Sequence, residues 1–467
     1  MQLQVASTPA PSLRWDENYQ KFQNTIHAMK IACLTLGCRT NQHDTAEMQT
    51  LLEQEGFSII NGKEKADVYV INTCTVTQRS DYSSRLAVKK SLKINPDALV
   101  VFTGCYAQLN PEEASQIDGL DIVLGNADKL NIANVIKKKL LNPGQPWEKN
   151  SSTEIIMSDI HNKRIFRTIP VKNFQGMTKA FIKVQTGCDE KCSFCTVVKA
   201  RGKSASDSRE NIIHNVEEAI ASGLKEITLT GINLGTWGME RNETFSSLVS
   251  DIVELPGDFR VRLSSINPME IDNDLIRLIK ETKKLCSHLH IPLQSGDDTI
   301  LKSMRRNYSR SQYVEVVQRA VSTIPGLGLG ADVIVGFSGE TDEAFENTRS
   351  LIEQFPFSYL HVFSYSPRRG TEAHQFKDNV PGNIKKQRNQ TLTQLVKHKA
   401  LIYRQQFLDQ PETVLIENQR DKKSGWLKGH TSNYIPVILE GSDSLKNNLV
   451  PVTLQNISDQ QVIGCVQ

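Results

Sequence analysis

Short apolar runs alternate with longer amphipathic stretches over the first third of the chain. Between Met29 and about Leu141, the runs IACLTL, DVYVI, ALVVF and DIVL are typical of strands, whereas HDTAEMQTLLEQEG, SDYSSRLAVKKSLKIN and PEEASQI are typical of helices. Strands that alternate with helices build parallel sheets. Residues 29–141 are therefore predicted to form an α/β domain around a doubly wound parallel sheet.

The same alternation returns further along, with six apolar runs between Lys179 and about Gln405. They are FIKVQT, EITLT, RVRLSS, HLHIPL, ADVIV and HVFSY, and helical stretches such as RENIIHNVEEAIASG and DDTILKSMRR separate them. Because six βα units are fewer than the closed barrel fold uses, residues 179–405 are predicted to form an open, partial (βα)6 barrel.

The last segment, residues 406–467, changes to short alternating runs divided by turn signals. The runs TVLIENQ, SGWLKGHTS, YIPVILE, LVPVTLQNIS and QVIGCV predict a small five-stranded all-β barrel. Two other segments lack periodicity. Residues 1–28 are polar and predicted to be a disordered extension, and residues 142–178 are predicted to be a linker that contributes one edge strand.

Composition and net charge exclude only some classes of protein. The 467 residues are 39% hydrophobic, and a net charge of +3 says little about a nucleic-acid partner. No apolar run approaches the roughly 18 residues that a membrane span needs, and the start of the chain lacks the apolar stretch of a signal peptide. Nine cysteines without a secretory signal indicate a reducing compartment. We therefore expect a cytoplasmic protein without a membrane partner.

The motif GCDEKCSFC places three potential metal ligands, Cys188, Cys192 and Cys195, in one short loop. The run AFIKVQT before it is a predicted strand, so the loop emerges at a carboxyl strand end, where α/β folds carry their active sites. Structural zinc usually takes four ligands, and no fourth Cys or His follows within 15 residues. Three thiolates on a [4Fe-4S] cluster leave one iron open to a small molecule. This spacing resembles the radical S-adenosylmethionine (SAM) enzymes; a zinc knuckle is the alternative.

Three further cysteines follow separate strands of the predicted N-terminal sheet. Cys38, Cys74 and Cys105 stand in GCRTN, NTCTVT and TGCYAQ. Because the carboxyl ends of parallel strands share one edge, this topology predicts a second set of three thiolates; three incidental thiols are the alternative. The remaining cysteines that lie in or beside apolar strands are predicted to be core residues: Cys33, Cys286 and Cys465.

Small or polar residues end the strands of the predicted partial barrel, as a polar cofactor would require. The candidates for SAM contact are Phe194, Gly231, Ser264, Gln294, Gly336 and Glu340. Each has an ordinary alternative: a turn for the strand-end residues, packing for Phe194 and a helix cap for Glu340. No His, Asp or Ser is arranged as a hydrolytic triad, so no catalytic residue is predicted beyond the cluster ligands.

Taken together, these motifs resemble the methylthiotransferase family of radical SAM enzymes from Met29 to Gln467. The N-terminal domain of that family carries cysteines in contexts similar to TLGCRTN, NTCTVT and TGCYAQ, and its middle domain carries motifs similar to GCDEKCSFC, HIPLQSG and ADVIVGFSGET. The C-terminal barrel resembles the TRAM module, which binds nucleic acid. The resemblance implies SAM, one [4Fe-4S] cluster on the three cysteines of GCDEKCSFC, and a second on Cys38, Cys74 and Cys105.

The family divides by substrate, and the stretches LTGINLGTWG and VRLSSINPMEID resemble the branch that acts on threonylcarbamoyladenosine. This implies insertion of sulfur and a methyl group at C2 of N6-threonylcarbamoyladenosine at tRNA position 37. The implied partners are a tRNA, a reducing electron-donor protein and a sulfur donor. The alternatives are isopentenyladenosine in tRNA or a ribosomal-protein aspartate as substrate, or, in a different class, a non-catalytic iron–sulfur or zinc protein that binds RNA.

Basic and aromatic residues offer further contacts for RNA. The cluster of Arg305, Arg306 and Arg310 and the basic stretch from Lys385 to Arg404 are either solvated faces or phosphate contacts. Three rings in the last segment either stack on bases or fill the barrel: Trp426, His430 and Tyr434.

Overall fold

The computed structural model describes most of the chain. The described residues are 29–140, 148–149, 152–161, 166–171, 178–377 and 379–467. The predicted disordered extension over residues 1–28 lies outside them. Internal contacts divide the chain into two compact units, of which the first holds residues 29–37, 47–75 and 79–158 and the second holds residues 38–46, 76–78 and 159–467. The predicted partial barrel and the predicted C-terminal barrel therefore belong to one unit.

The first unit is built on a parallel sheet. Its strands are β1 (Lys30–Thr35), β2 (Ser58–Ile60), β3 (Val68–Thr73), β4 (Leu99–Gly104), β5 (Ile122–Leu124) and β6 (Glu154–Ile156). They lie in the order β2-β1-β3-β4-β5-β6, which is the doubly wound arrangement that the alternating pattern predicts. β6 comes from the segment predicted to be a linker and supplies the edge strand expected there.

Helices alternate with these strands along the chain. They are α1 (Arg39–Gln54), α2 (Gln78–Ile94), α3 (Cys105–Leu109), α4 (Pro111–Ser115) and α5 (Ile132–Leu140). Every residue of β3 and β4 is buried, because helices cover both faces of the central strands. This burial explains why the runs DVYVI and ALVVF are apolar throughout rather than alternating.

The second unit contains the six strands that were predicted for the partial barrel, with a short antiparallel pair beside the first. Its strands are β7 (Lys179–Lys183), β8 (Gln185–Thr186), β9 (Ala205–Ser206), β10 (Glu226–Thr230), β11 (Arg260–Leu263), β12 (His288–His290), β13 (Gly328–Val335) and β14 (Phe357–Ser364). β7, β10 and β11 form one parallel sheet, and β12, β13 and β14 form another. Parallel bridges from Val261 to Leu285 and from Ser265 to His290 join them. The partial (βα)6 barrel is confirmed.

Helices accompany the partial barrel, and most of them carry a side-chain cap. They are α6 (Val197–Arg201), α7 (Arg209–Ala221), α8 (Phe245–Glu254), α9 (Asn273–Glu281), α10 (Asp298–Ser303), α11 (Arg310–Thr323), α12 (Asp342–Gln354) and α13 (Gly382–Gln405). Side-chain oxygens at the starts of α7 to α12 accept a backbone N–H, and each such cap stabilises its helix by about 1 kcal/mol. Among the described residues, no helix is both long enough and apolar enough to cross a membrane.

The chain ends in a small closed barrel. Its strands are β15 (Pro411–Ile416), β16 (Leu427–His430), β17 (Pro436–Leu439), β18 (Leu449–Ser458) and β19 (Gln461–Val466). They close in the order β15-β16-β17-β19-β18, so the five-stranded barrel predicted from the alternating runs is confirmed. Inward-facing Val, Leu and Ile side chains from all five strands fill its core.

Buried charges join this barrel to the partial barrel. Glu226 in β10 is fully buried and accepts hydrogen bonds from Arg260 Nε over 2.7 Å and from Arg262 Nε over 3.0 Å. The other guanidinium nitrogens donate to barrel carbonyl oxygens, Arg260 to His430 over 2.9 Å and Arg262 to Thr431 over 3.0 Å. The turn after β16 is thereby fixed against β11.

The cysteines outside the proposed ligand sets have different environments. Cys286 is 1% exposed, as predicted, and Cys33 is partly buried against the core of the first unit. Cys465 is exposed, so its predicted core position is wrong. Side chains of β19 alternate across the barrel wall, and Val462 and Gly464 take the inward positions, which leaves Cys465 facing outward.

Exchange of a cysteine for serine should distinguish these two positions. We expect Cys286→Ser to lower the free energy of unfolding by about 1–3 kcal/mol, because it places a hydroxyl at a position that is 1% exposed. Cys465→Ser should change it by less than about 0.5 kcal/mol, as is usual for surface exchanges. Urea denaturation measures both, and equal effects would contradict the assigned orientation of β19.

Candidate active site

A cavity of about 510 Å³ opens in the second unit, where the strands of the partial barrel end. Its size lies within the roughly 300–1,000 Å³ range of small-molecule sites. Cysteines predicted to bind iron line it: Cys38, Cys188, Cys192 and Cys195. The remaining wall is made of strand-end residues and of aromatic and imidazole rings, so the cavity combines thiols with polar groups.

The segment 187–196, here called the cysteine loop, is held by hydrogen bonds. Gly187 has φ 68°, and a Cβ there would collide with the Lys203 carbonyl oxygen, so the tight turn before Cys188 requires glycine. The Ser193 side chain is buried and donates to the Ser303 carbonyl oxygen over 2.8 Å. The loop therefore takes its shape from residues far away in the sequence.

The sulfur atoms of the cysteine loop lie among N–H donors. Arg306 Nη1 donates to Cys192 Sγ over 3.1 Å, and the Val197 N–H donates to Cys195 Sγ over 3.4 Å. Such donors and a nearby positive charge stabilise thiolates. Burial raises the pKa of the Cys188 thiol to about 12, so a metal that binds there displaces a proton.

Amide side chains connect the cysteine loop to neighbouring strand ends. Gln185 is fully buried; its Nε2 donates to the Gly187 carbonyl oxygen and its Oε1 accepts from the Asn233 N–H, both over 2.9 Å. Asn267 donates to Asn233 Oδ1 over 2.6 Å and accepts from Arg306 Nη2 over 2.8 Å. Sequence reasoning missed Gln185 and Asn267, since a lone amide carries no motif.

The structure places four of the six predicted SAM-contact residues at the cavity: Phe194, Gly231, Ser264 and Gln294. Ser264 Oγ is buried and has no hydrogen-bond partner among the described residues, which suits a polar ligand. Phe194 also packs edge-on against Phe337, with ring centroids 6.4 Å apart. The packing role that was the alternative for Phe194 is therefore present too.

The other two predicted SAM-contact residues, Gly336 and Glu340, are not among the described residues that line the cavity. Glu340 Oε2 accepts from the Gly336 N–H and from Arg388 Nη1, each over 2.7 Å. Burial raises the pKa of the Glu340 carboxyl, although both donors favour its ionised form. Thr341, not Glu340, caps α12, so the helix-cap alternative for Glu340 is wrong. Contact of Gly336 and Glu340 with SAM stays a prediction.

A hydrogen-bonded row of rings forms another part of the cavity wall. Asp332 accepts from His361 Nδ1 over 3.0 Å, and His290 Nε2 lies 3.2 Å from it. Burial disfavours ionised Asp332, but the two imidazoles outweigh that effect and lower its pKa. Tyr359 Oη lies 3.0 Å from His290 Nδ1 and 2.8 Å from His288 Nε2. Asp332, His290 and His361 also bring ligand atoms within 4.8 Å of one another, a spacing that a single metal ion accepts.

Aromatic residues of the C-terminal barrel reach the same wall. Tyr434 lines the cavity, and its ring centroid lies 4.8 Å from the rings of both His288 and His430. The Arg262 guanidinium lies 5.0 Å from the centre of the Tyr434 ring. Tyr434 thus borders the cavity and His430 stacks against it, whereas Trp426 is partly exposed.

Two cysteines of the second predicted ligand set lie at one sheet edge of the first unit. Cys74 and Cys105 directly follow β3 and β4, which are neighbours in the sheet. Gly104 has φ 100°, and a Cβ there would collide with the Thr73 backbone, so glycine is required where α3 begins with Cys105. Cys38 belongs to the second unit, where it lines the cavity.

The basic residues do not form the clusters that the sequence suggested. Arg305 pairs with Glu372, Arg310 donates to the Gly296 carbonyl oxygen over 2.8 Å, and Arg306 enters the cavity wall. In α13, Lys385 and Arg388 are buried. Since Arg306 and Arg310 in the first cluster, and Lys385 and Arg388 in the second, donate to groups of the protein itself, the interpretation of either stretch as one solvated basic face is wrong. Contact with phosphate stays a prediction.

Comparison with known proteins identifies the chain. Residues 30–125 match the uncharacterized protein family UPF0004, and residues 182–352 match the radical SAM superfamily. The threonylcarbamoyladenosine tRNA methylthiotransferase MtaB of Bacillus subtilis (strain 168) is 35% identical over 428 residues, which cover 91% of this chain and 93% of the relative. The chain belongs to the radical SAM methylthiotransferase family. The non-catalytic alternative is therefore wrong, because this methylthiotransferase is a sulfur- and methyl-transferring enzyme.

Other relatives of the methylthiotransferase carry two substrate names. MtaB of Aquifex aeolicus (strain VF5) is 37% identical over 418 residues, 88% of this chain and 97% of the relative. The tRNA-2-methylthio-N(6)-dimethylallyladenosine synthase of Protochlamydia amoebophila (strain UWE25) is 32% identical over 441 residues, 93% of this chain and 95% of the relative.

Solved structures support the fold of the methylthiotransferase. The radical S-adenosylmethionine methyltransferase TsrM from Kitasatospora setae matches with a TM-score of 0.51 and 15% identity over 72% of this chain and 73% of that chain. The cobalamin-dependent S-adenosylmethionine radical enzyme OxsB matches with a TM-score of 0.50 and 12% identity over 80% of this chain and 57% of that chain. At such identity the likeness shows the fold alone.

The cofactors of the radical SAM superfamily, a [4Fe-4S] cluster and SAM, fit the residues present. The cysteine loop offers three sulfur ligands with N–H donors to two of them. The unpartnered Ser264 hydroxyl and the polar strand ends lie in the same cavity. A zinc knuckle needs a fourth protein ligand, whereas an open iron is what SAM binding requires.

The buried ion pair of Arg388 with Glu340 gives a stability test. We expect Arg388→Met to lower the free energy of unfolding by about 3–5 kcal/mol, because it leaves a buried carboxylate unpaired. The matched control is Lys386→Met, two residues away on the exposed side of α13, which should cost less than about 0.5 kcal/mol. Equal losses in urea denaturation would contradict the assignment of Arg388 to the interior.

Proposed function

We propose that this methylthiotransferase acts on a tRNA and places a methylthio group at C2 of N6-threonylcarbamoyladenosine at position 37. Three relatives with 33–37% identity carry threonylcarbamoyladenosine in their names. The stretches LTGINLGTWG and VRLSSINPMEID resemble the same branch. Relatives named for dimethylallyladenosine are 32% identical, so dimethylallyladenosine is the competing substrate.

The observation that carries this proposal is the composition of the cavity. One part of its wall is the cysteine loop, and another consists of ring systems that include His288, Tyr359 and Tyr434. Aromatic side chains provide stacking surfaces for nucleobases. A nucleoside bound against these rings shares one cavity with the cofactor that reacts with it.

The residues of the cavity have separate tasks under this proposal. Cys188, Cys192 and Cys195 hold the cluster; with SAM bound, it supplies the one-electron chemistry that removes a hydrogen atom from a carbon of the substrate. Phe194 in the cysteine loop and the strand-end residues Gly231, Ser264 and Gln294 orient SAM. Asp332 and the histidines beside it fix the positions of the rings that orient the base.

A second [4Fe-4S] cluster on Cys38, Cys74 and Cys105 completes the proposal. These three cysteines would hold the group that supplies sulfur chemistry, and a second SAM would be the source of the methyl group. A reducing electron-donor protein and a sulfur donor are the partners that this chemistry requires. Such thiolate sites need a reducing compartment, which supports the cytoplasm as the location.

Iron analysis tests the two ligand sets. The anaerobically reconstituted enzyme is expected to hold about eight iron atoms, as two clusters. Replacing Cys188, Cys192 and Cys195 together with Ala should halve the iron content and abolish SAM cleavage. Replacing Cys38, Cys74 and Cys105 should halve it and leave some SAM cleavage, and Cys465→Ala is the control that keeps all iron. Full iron content in either triple variant would show that its ligand set is wrong.

Substrate competition tests the reaction. The reconstituted enzyme is incubated with threonylcarbamoylated tRNA, isopentenylated tRNA and ribosomal protein, and the products are analysed by mass spectrometry. We expect a methylthio group on the threonylcarbamoylated tRNA. Modification of only the isopentenylated tRNA or only the protein would refute the proposed substrate and leave the family membership intact.

A further inference from the structure

Arg39 is a cation in the cavity wall that lacks an acidic partner. It is partly buried, lines the cavity and donates a hydrogen bond from Nη2 to the Tyr434 hydroxyl over 3.4 Å. Within the described ranges of the chain, Arg39 forms no ion pair. Since a guanidinium carries several N–H donors, most of its hydrogen-bonding capacity remains for a molecule in the cavity.

The neighbouring arginines are already engaged. Arg306 donates to Cys192 Sγ and Asn267 Oδ1, and its guanidinium lies 4.9 Å from the Tyr308 ring. Arg262 pairs with Glu226 and donates to barrel carbonyl groups. Arg306 keeps only a buried Nε without a partner among the described residues. Of the arginines near this wall, Arg39 therefore offers the largest remaining capacity for an anionic ligand.

Helix stability does not explain the charge of Arg39. It is the first residue of α1, a helix of 16 residues whose first turn contains no acidic side chain. The amino end of a helix carries partial positive charge, so a cation there is electrostatically unfavourable. An anion bound in the cavity would relieve this repulsion.

An unpartnered ring nitrogen lies in the same wall. His288 is 1% exposed, and its Nδ1 has no hydrogen-bond partner in the described part of the chain. Its Nε2 lies 2.8 Å from the Tyr359 hydroxyl and is thereby engaged. Nδ1 is left for a hydrogen bond with a ligand.

We propose that Arg39 binds the carboxylate of an amino-acid group on the substrate nucleoside, and that His288 Nδ1 forms a hydrogen bond with a polar atom of the same group. This inference rests on the proposed function. A threonylcarbamoyl group has both a carboxylate and further polar atoms, whereas a dimethylallyl group has neither. Arg39 thereby determines specificity, because an uncharged substrate leaves its charge unpaired.

The test compares the full-length wild-type enzyme with R39Q, R39K and the control R277Q. Arg277 forms a surface pair with Asp274, and its side chain is 62% exposed. Each reconstituted enzyme is assayed on anticodon stem-loop RNA with threonylcarbamoyladenosine, on the same RNA with that carboxylate methyl-esterified, and on RNA with dimethylallyladenosine. The dissociation constants of the first two RNAs, the iron content and the KM for SAM are measured in parallel.

We expect R39Q to lose roughly 30-fold or more in kcat/KM on the carboxylate RNA, as is usual when one partner of a desolvated charge pair is removed. Its dissociation constant should rise in parallel. Wild-type and R39Q should bind the ester equally, since neither then forms the pair. R39K should retain part of the preference for the carboxylate, and R277Q should retain all of it. Iron content and the KM for SAM should not change in R39Q.

Three outcomes would overturn the inference. The first is an R39Q enzyme that prefers the carboxylate over its ester as strongly as the wild type does. The second is a raised KM for SAM with all three RNAs affected alike, since Arg39 would then bind the SAM carboxylate. The third is loss of iron from R39Q together with an iron-replete R39K that shows no preference for the carboxylate. A wild-type enzyme that modifies only dimethylallyl RNA would instead refute the proposed function, so the two failures can be told apart.

Discussion

The carboxylate of Glu226 is the fixed point around which the second unit is organised. It is fully buried in β10. Burial disfavours its charge, but Arg262, Arg260 and Lys179 outweigh that effect and hold the pKa of Glu226 well below its ordinary range. A charge in this position can persist only while its cations remain in place. Because the two arginines also donate to carbonyl groups of the C-terminal barrel, one ionised group sets both the strand geometry and the position of the barrel.

The ion pairs of Glu226 also help to determine the shape of the cavity. Arg262 lies against the Tyr434 ring, so the ring wall is held by the same charge network. On the other side, Gln185, Asn267 and Arg306 link the strand ends to the cysteine loop through hydrogen bonds. Hydrogen bonds fix direction more strictly than apolar contacts do. This explains how strand-end loops with few apolar side chains present sulfur atoms and rings to one space.

The sequence predicted the features that follow from hydrophobic periodicity and from the spacing of cysteines. The alternating runs revealed all six strands of the partial barrel and all five of the C-terminal barrel, and the spacing of Cys188, Cys192 and Cys195 revealed the cysteine loop. Hydrogen bonds and ion pairs between residues far apart in the sequence could not be predicted. Arg388 looked like a solvated charge because its partner Glu340 lies 48 residues away.

The remaining errors have similar physical causes. Cys465 lies in an apolar run, but the orientation of a single side chain in a barrel strand depends on the register of its neighbours. From the sequence, Lys385 and Arg306 can be recognised only as charged residues. Whether they are buried depends on the polar groups and rings that distant segments place around them. The sequence shows which residues are polar, but it does not show which distant group forms a hydrogen bond or an ion pair with a buried one.

The anchoring of Ser193 bears on how the enzyme matures in the cell. Its hydroxyl donates to a carbonyl group 110 residues further along, and its own carbonyl oxygen accepts from the Ala373 N–H near the end of the partial barrel. Domains fold as units during synthesis at roughly 5–20 residues per second, so several seconds separate translation of the cysteine loop from that of its supports. The nascent loop therefore presents three thiols before the groups that hold it in place have been made. The observed arrangement of these thiols requires the completed partial barrel.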